Sequence, residues 1–61
     1  MTIDAQIEAI LFWKSEPVSK KKLATILKKE TIEIDEAIII LEEKLKNRGL
    51  ILIHKDDEII L

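Results

Sequence analysis

A chain of 61 residues with 10 Lys and Arg against 12 Asp and Glu, no cysteine and a net charge of −2 excludes disulfides and thiolate-held zinc, and offers phosphate backbones no general attraction. So short a polypeptide buries only about 60% of the surface its unfolded form exposes, so dense packing or a second chain must supply what no bridge can. No apolar run reaches the ~18 residues of a membrane span, and the first residues lack the basic stretch and apolar core of a signal peptide, which points to the cytoplasm. Thr2 is suited to cap a first helix from Ile3 to Lys14, its hydroxyl accepting from the free amides of the first turn. Pro17 stops that helix, and Ser15-Glu16-Pro17-Val18 reads as a connector in which the proline holds Glu16 extended. Ser19 caps a short second helix through about Lys29, with Leu23, Ile26 and Leu27 as its apolar stripe and Ala24 beside them. The third predicted helix begins between Thr31 and Ile34 and ends before Gly49, the only glycine and the residue best suited to the left-handed conformation after a helix. Asp35 and Glu36 near its start, and Lys44, Lys46 and Arg48 near its end, carry the signs the helix dipole favours. Leu50 to Ile53 and Glu58 to Leu61 are aliphatic runs on either side of Lys55-Asp56-Asp57, the pattern of a hairpin with a polar turn. This order predicts an α+β, mainly α fold, a winged helix-turn-helix of three helices plus a C-terminal β-hairpin wing, in one domain over residues 1–61. The connector is free to add a short third strand.

Two helices carry more apolar surface than one small core uses. At about 100° per residue, Ile34, Ala37, Ile38, Leu41 and Leu45 share one narrow face of the third helix. Ile39 and Ile40 fall outside it, among Asp35, Glu36, Glu43, Lys46 and Asn47, and are expected to meet a partner; the plainer alternative is that Ile40 widens the core or both are scattered surface residues. On the first helix, Ile3, Ile7, Ile10 and Leu11 form one stripe while Ala5, Ala9, Phe12 and Trp13 form another on the far side. Only Asp4 and Glu8 occupy a wholly polar arc. A helix apolar over most of its circumference is normally covered on most sides, and aromatics beside small residues make association hot spots. The alternative is that Phe12 and Trp13 close the core over the hairpin.

Charge is divided along the chain. Residues 1–30 hold six lysines against four acids, or +2, and residues 31–61 four bases against eight acids, or −4. Lys20, Lys21 and Lys22 sit in the first turn of the second helix, where positive charge opposes the dipole and invites an anion, either phosphate or an acidic protein surface; a solvated charge run is the plainer reading. A DNA-binding winged helix inserts its third helix in the major groove, but here the leading half of that helix holds Glu30, Glu33, Asp35 and Glu36 and no arginine, so base reading is not expected. A small winged-helix transcriptional regulator, with the second-helix lysines and Lys55 on backbone phosphates, is the competing function. His54, Asp56 and Glu58 alternate along the hairpin, but three residues flanking a two-stranded turn are ordinarily solvated and make a poor metal site. There is no serine–histidine–acid pattern and no glycine-rich phosphate loop, so no enzyme, cofactor or small-molecule substrate is expected.

Several segments together resemble the N-terminal winged-helix domain of the segregation and condensation protein B family, ScpB. They are Ile7-Glu8-Ala9-Ile10-Leu11-Phe12, Glu16-Pro17-Val18-Ser19, Leu23-Ala24-Thr25-Ile26-Leu27, Ile34-Asp35-Glu36-Ala37-Ile38, Leu41 through Leu45, and Arg48-Gly49-Leu50 with the closing strand. The first two are the distinctive ones; the rest is patterning shared by many winged helices. The resemblance implies a non-enzymatic, nucleoid-associated subunit of the SMC–kleisin complex of chromosome condensation and segregation. It further implies a homodimer whose first domain self-associates, with the kleisin ScpA and SMC as partners. In the family a second winged helix carries much of the kleisin contact, and these 61 residues correspond only to the first. Lys14-Ser15 replaces a small-residue turn with glycine, and the hairpin tip lacks the family's usual glycine and aromatic.

Overall fold

The computed structural model describes residues 1–61. In it three helices, α1 (Ile3–Lys14), α2 (Lys20–Leu27) and α3 (Thr31–Lys46), accompany three short strands, β1 (Val18–Ser19), β2 (Ile53–Lys55) and β3 (Glu58–Ile60). The strands form one antiparallel sheet in the order β1-β3-β2, so the connector does contribute a strand. This is the expected α+β, mainly helical winged-helix arrangement.

Each helix starts where a side chain can receive its free amides. Thr2 Oγ1 accepts from Ala5 N at 3.4 Å and Ser19 Oγ from Lys22 N at 2.9 Å. At α3 the Glu33 carboxylate reaches back to the Glu30 N–H at 2.9 Å. Gly49, at φ 75°, closes α3: the Leu50 N–H returns to Leu45 O at 2.9 Å and the Gly49 N–H to Lys46 O at 3.1 Å. Two predicted boundaries shift. The second helix ends at Leu27 instead of about Lys29, because Lys28 turns left-handed at φ 57° and its N–H and that of Lys29 fold back on the last carbonyls. The first wing strand is Ile53–Lys55 instead of Leu50–Ile53, because Leu50 is still bonded to α3, and Asp56 and Asp57 alone make the turn.

Lys28 therefore holds a conformation natural to glycine. Its Cβ costs roughly 1 kcal/mol there. Lys28→Gly is expected to raise the melting temperature by about 5 °C, read in a thermal unfolding scan. An unchanged or lowered midpoint would show that the left-handed cap carries no strain.

The core gathers Ile7 and Leu11 from α1, Leu23 from α2, five residues of α3 (Ile34, Ala37, Ile38, Leu41, Leu45), and Val18, Leu52 and Ile59 from the sheet and its approach. The predicted stripe of α3 is thus its buried face. The polar arc of α1 behaves differently from a solvated one. Asp4, only 5% exposed, receives Lys44 Nζ at 2.7 Å, and one turn later Glu8 pairs with Arg48. A two-rung ionic ladder thereby ties α1 to the carboxyl end of α3 beside the core.

The Lys44 hydrogen bond, aided by Thr2 and by the charge of Lys44, holds the Asp4 carboxyl below its ordinary value against the opposing pull of burial. A depressed folded value means that the unfolded chain binds the proton more readily. The contribution is present above the unfolded carboxylate range, near pH 4, and is lost as pH falls through the folded value. Urea unfolding between about pH 5 and pH 2 is expected to show a steeper loss for the parent than for Lys44→Met. Parallel curves would remove Lys44 as the cause.

Candidate protein interface

Because Ile7, Leu11 and the ionic ladder point α1 at α3, the opposite side of the helix is left uncovered. Phe12, Ala5, Ala9 and Trp13 lie in that order across about 100° of it, with no charged residue between them. Phe12 is 71% exposed and Trp13 79%, so closing the core over the hairpin does not describe this fold. Ala9 is exposed and Ala5 half-buried. The Lys14 ammonium lies 5.3 Å from the Trp13 ring centroid, where the ring face attracts a cation.

The apolar arc continues onto the sheet. Phe12 shares a shallow groove with Leu11, Ser15, Ile60 and Leu61. Ile60 lies directly across from the exposed Ile53, and side chains paired in this way share one face of a sheet. Ile53, Ile60 and Leu61 escaped the wheel argument, which considers helices alone. The signal available was the strands themselves: aliphatic residues succeed one another at Leu50–Ile53 and Ile59–Leu61 with no polar alternate, more than a one-sided sheet needs.

Ile39 and Ile40 are 63% and 49% exposed, but the structure does not bring them together. Consecutive helix positions point about 100° apart, and Ile39 faces a groove lined with Glu42, Glu43, Lys46, Leu50, Ile51 and Leu52. Ile40 occupies the other flank of α3. The exposed Ile32, one helical face with Ile39, is a further member that the wheel could have shown. With Glu36 and Glu43 between and beside these isoleucines and Lys46 next to Ile39, the outward face of α3 is mainly acidic and apolar.

Among the three lysines, Lys20 Nζ lies 3.7 Å from Asp35 of α3, while Lys21 and Lys22 are exposed and make no ion pair. Beside them are Ser19, Thr25 and the partly exposed Ile26. His54 does not converge with Asp56 and Glu58; its Nε2 lies 3.1 Å from Glu42 and pins the wing to α3. No helix is long and apolar enough to cross a membrane.

Three helices, a connector strand and a wing define a winged-helix protein, and its candidate site is an exposed apolar surface, not a pocket of convergent polar groups. The family model of the segregation and condensation complex subunit ScpB matches residues 5–60, nearly the whole sequence. The chain belongs to that family, which consists of non-enzymatic subunits of a chromosome segregation complex. No curated protein and no solved structure gives a match.

Proposed function

We propose that residues 1–61 are a single winged-helix domain acting as a non-catalytic interaction module, equivalent to the first domain of ScpB, within an SMC–kleisin complex in the cytoplasm at the nucleoid. The module forms a homodimer through the outer arc of α1, namely Ala5, Ala9, Phe12 and Trp13, and it works with the kleisin ScpA and with SMC. The observation that carries this reading is the arc itself: two exposed aromatics and two alanines with no charge among them, on a helix whose two acidic residues are engaged on the other side. Aromatics of low conformational entropy beside small residues are the usual anchors of an association hot spot. Ile39 and Ile40 supply further partner contacts on α3, consistent with their exposure.

One observation favours a second reading. Lys21 and Lys22 are free cations at the start of α2 and could touch backbone phosphates, as in a winged-helix regulator. The acidic outward face of α3 opposes it, since Glu36 and Glu43 would confront phosphates in a major groove. Sedimentation over a concentration series, alone and with ScpA, together with duplex-DNA titrations at rising salt, separates the two. The interaction module is expected to gain mass with concentration and to bind DNA weakly. A constant monomer mass, combined with DNA affinity falling steeply with salt, would sink it in favour of the regulator.

A further inference from the structure

The small sheet is apolar on both faces. Val18 lies against Ile59 in the antiparallel register, and these two are buried in the core together with Leu52. The neighbouring cross-strand pair, Ile53 and Ile60, therefore points to the opposite face, where a one-sided sheet carries polar residues. Ile53 is 56% exposed, and the face turns polar only at the hairpin end, where Lys55 lies opposite Glu58. Ile60 in turn borders the groove that Phe12 lines, in which Ser15 is the one polar residue. An apolar surface thus leads from Trp13 and Ala9 over Phe12 to Ile60 and Ile53, with no charged residue among its members.

We infer that a second copy of the chain covers the outer face of the sheet together with the outer arc of α1, so that Ile53 and Ile60 belong to the same two-fold contact as Phe12 and Trp13. The inference rests on the reading of α1 as the dimer surface and extends that surface to a second element. Area is the first support. Phe12 and Trp13, 71% and 79% exposed, offer roughly 300 Å² between them, since an aromatic side chain carries about 150–250 Å². With their alanines, two such arcs bury about 700 Å², the size of an incidental packing contact and short of the ~1,000 Å² that a specific interface clears. Ile53, Ile60 and Leu61 add about half as much again, which carries the pair past that mark. The lack of charge is the second support. A two-fold contact sets a patch against its own image, so a charged patch meets like charge, whereas an uncharged apolar one is its own complement. Charge appears only at the ends, with Lys14 beside Trp13 and with Lys55 and Glu58 near the turn, where a polar rim belongs.

Ile53 supplies the test, because it lies on a different element from α1 and outside the core. In sedimentation equilibrium Ile53→Lys is expected to weaken dimerisation at least about tenfold, one apolar contact being lost from each protomer. The circular dichroism spectrum and urea midpoint of the monomer are expected to stay near the parent's. The sequence has no cysteine, so Ile53→Cys introduces a single thiol. Under reducing conditions its alkylation by a maleimide is expected to slow severalfold between a concentration at which the chain is monomeric and one at which it is dimeric. Should the lysine disturb the hairpin, the thiol variant decides alone. Dimerisation of Ile53→Lys at the parent's affinity, or a thiol that reacts equally fast in monomer and dimer, overturns the inference and leaves the α1 reading standing. If Ile53→Lys loses the dimer while Phe12→Lys with Trp13→Lys keeps it, the contact lies on the sheet without α1, and the joined surface is wrong. A parent that stays monomeric at every concentration overturns both readings, and the apolar surface then belongs to a different protein.

Discussion

Ile38→Ala is expected to destabilise the domain by about 3 kcal/mol, whereas Ile39→Ala and Ile40→Ala each change stability by less than about 1 kcal/mol. The three residues are consecutive and chemically identical, so only the orientation of α3 distinguishes them. Ile38 is buried in the core beside Ile34, Leu41 and Leu45, and its truncation leaves a cavity that the short helices around it can only partly collapse. Ile39 and Ile40 are largely in solvent, where alanine loses little contact and gains in helix propensity. For 61 residues a total stability of roughly 3–9 kcal/mol is typical, so Ile38→Ala removes from about a third to nearly all of it. Urea titration of the three variants at a concentration that keeps the parent monomeric checks the ranking. Three equal losses would place the register of α3 in error, since a single residue step of about 100° separates core from surface.

How much of this could be read beforehand depended on whether a residue's partner lay on its own element. Caps and periodic stripes are local, and Thr2, Ser19, Gly49 and the Ile34–Leu45 stripe behave as their spacing requires. The exposure of Phe12 and Trp13 was also implicit, because a helix apolar nearly all round cannot hide every side in so small a protein. The ladder from α1 to α3 was not legible. Asp4 and Glu8 looked like an ordinary solvated arc because their partners, Lys44 and Arg48, lie 40 residues away, and nothing in a wheel specifies how two helices meet. The same limit missed the joining of Phe12 to Ile60 and Leu61, whereas the divergence of Ile39 from Ile40 by about 100° follows from the wheel itself. The left-handed Lys28, too, shortens α2 without any glycine to announce it.

The largest functional effect is expected from replacing both aromatics of α1, Phe12→Lys together with Trp13→Lys. Each aromatic anchor of an association hot spot contributes about 2 kcal/mol or more, near 30-fold in affinity, so the pair weakens dimerisation by roughly 1,000-fold. At concentrations where the parent is dimeric, the double variant is then monomeric in light scattering or sedimentation equilibrium. Loss of folding would mimic this result, and the positions were chosen to avoid it. Both residues are more than two-thirds exposed, and both lie in the last turn of α1, where positive charge is favoured by the helix dipole. The circular dichroism spectrum and the urea midpoint of the monomer should therefore stay close to the parent's. Ala9→Lys offers an independent check from the middle of the same arc, since a long cation there props two copies apart without touching either aromatic. If the double variant and Ala9→Lys both dimerise with the parent's affinity, the outer arc of α1 is not where the chain meets its copy. The covering of α1 would then have to come from a different partner, read out as a complex with ScpA that the parent forms and the double variant does not.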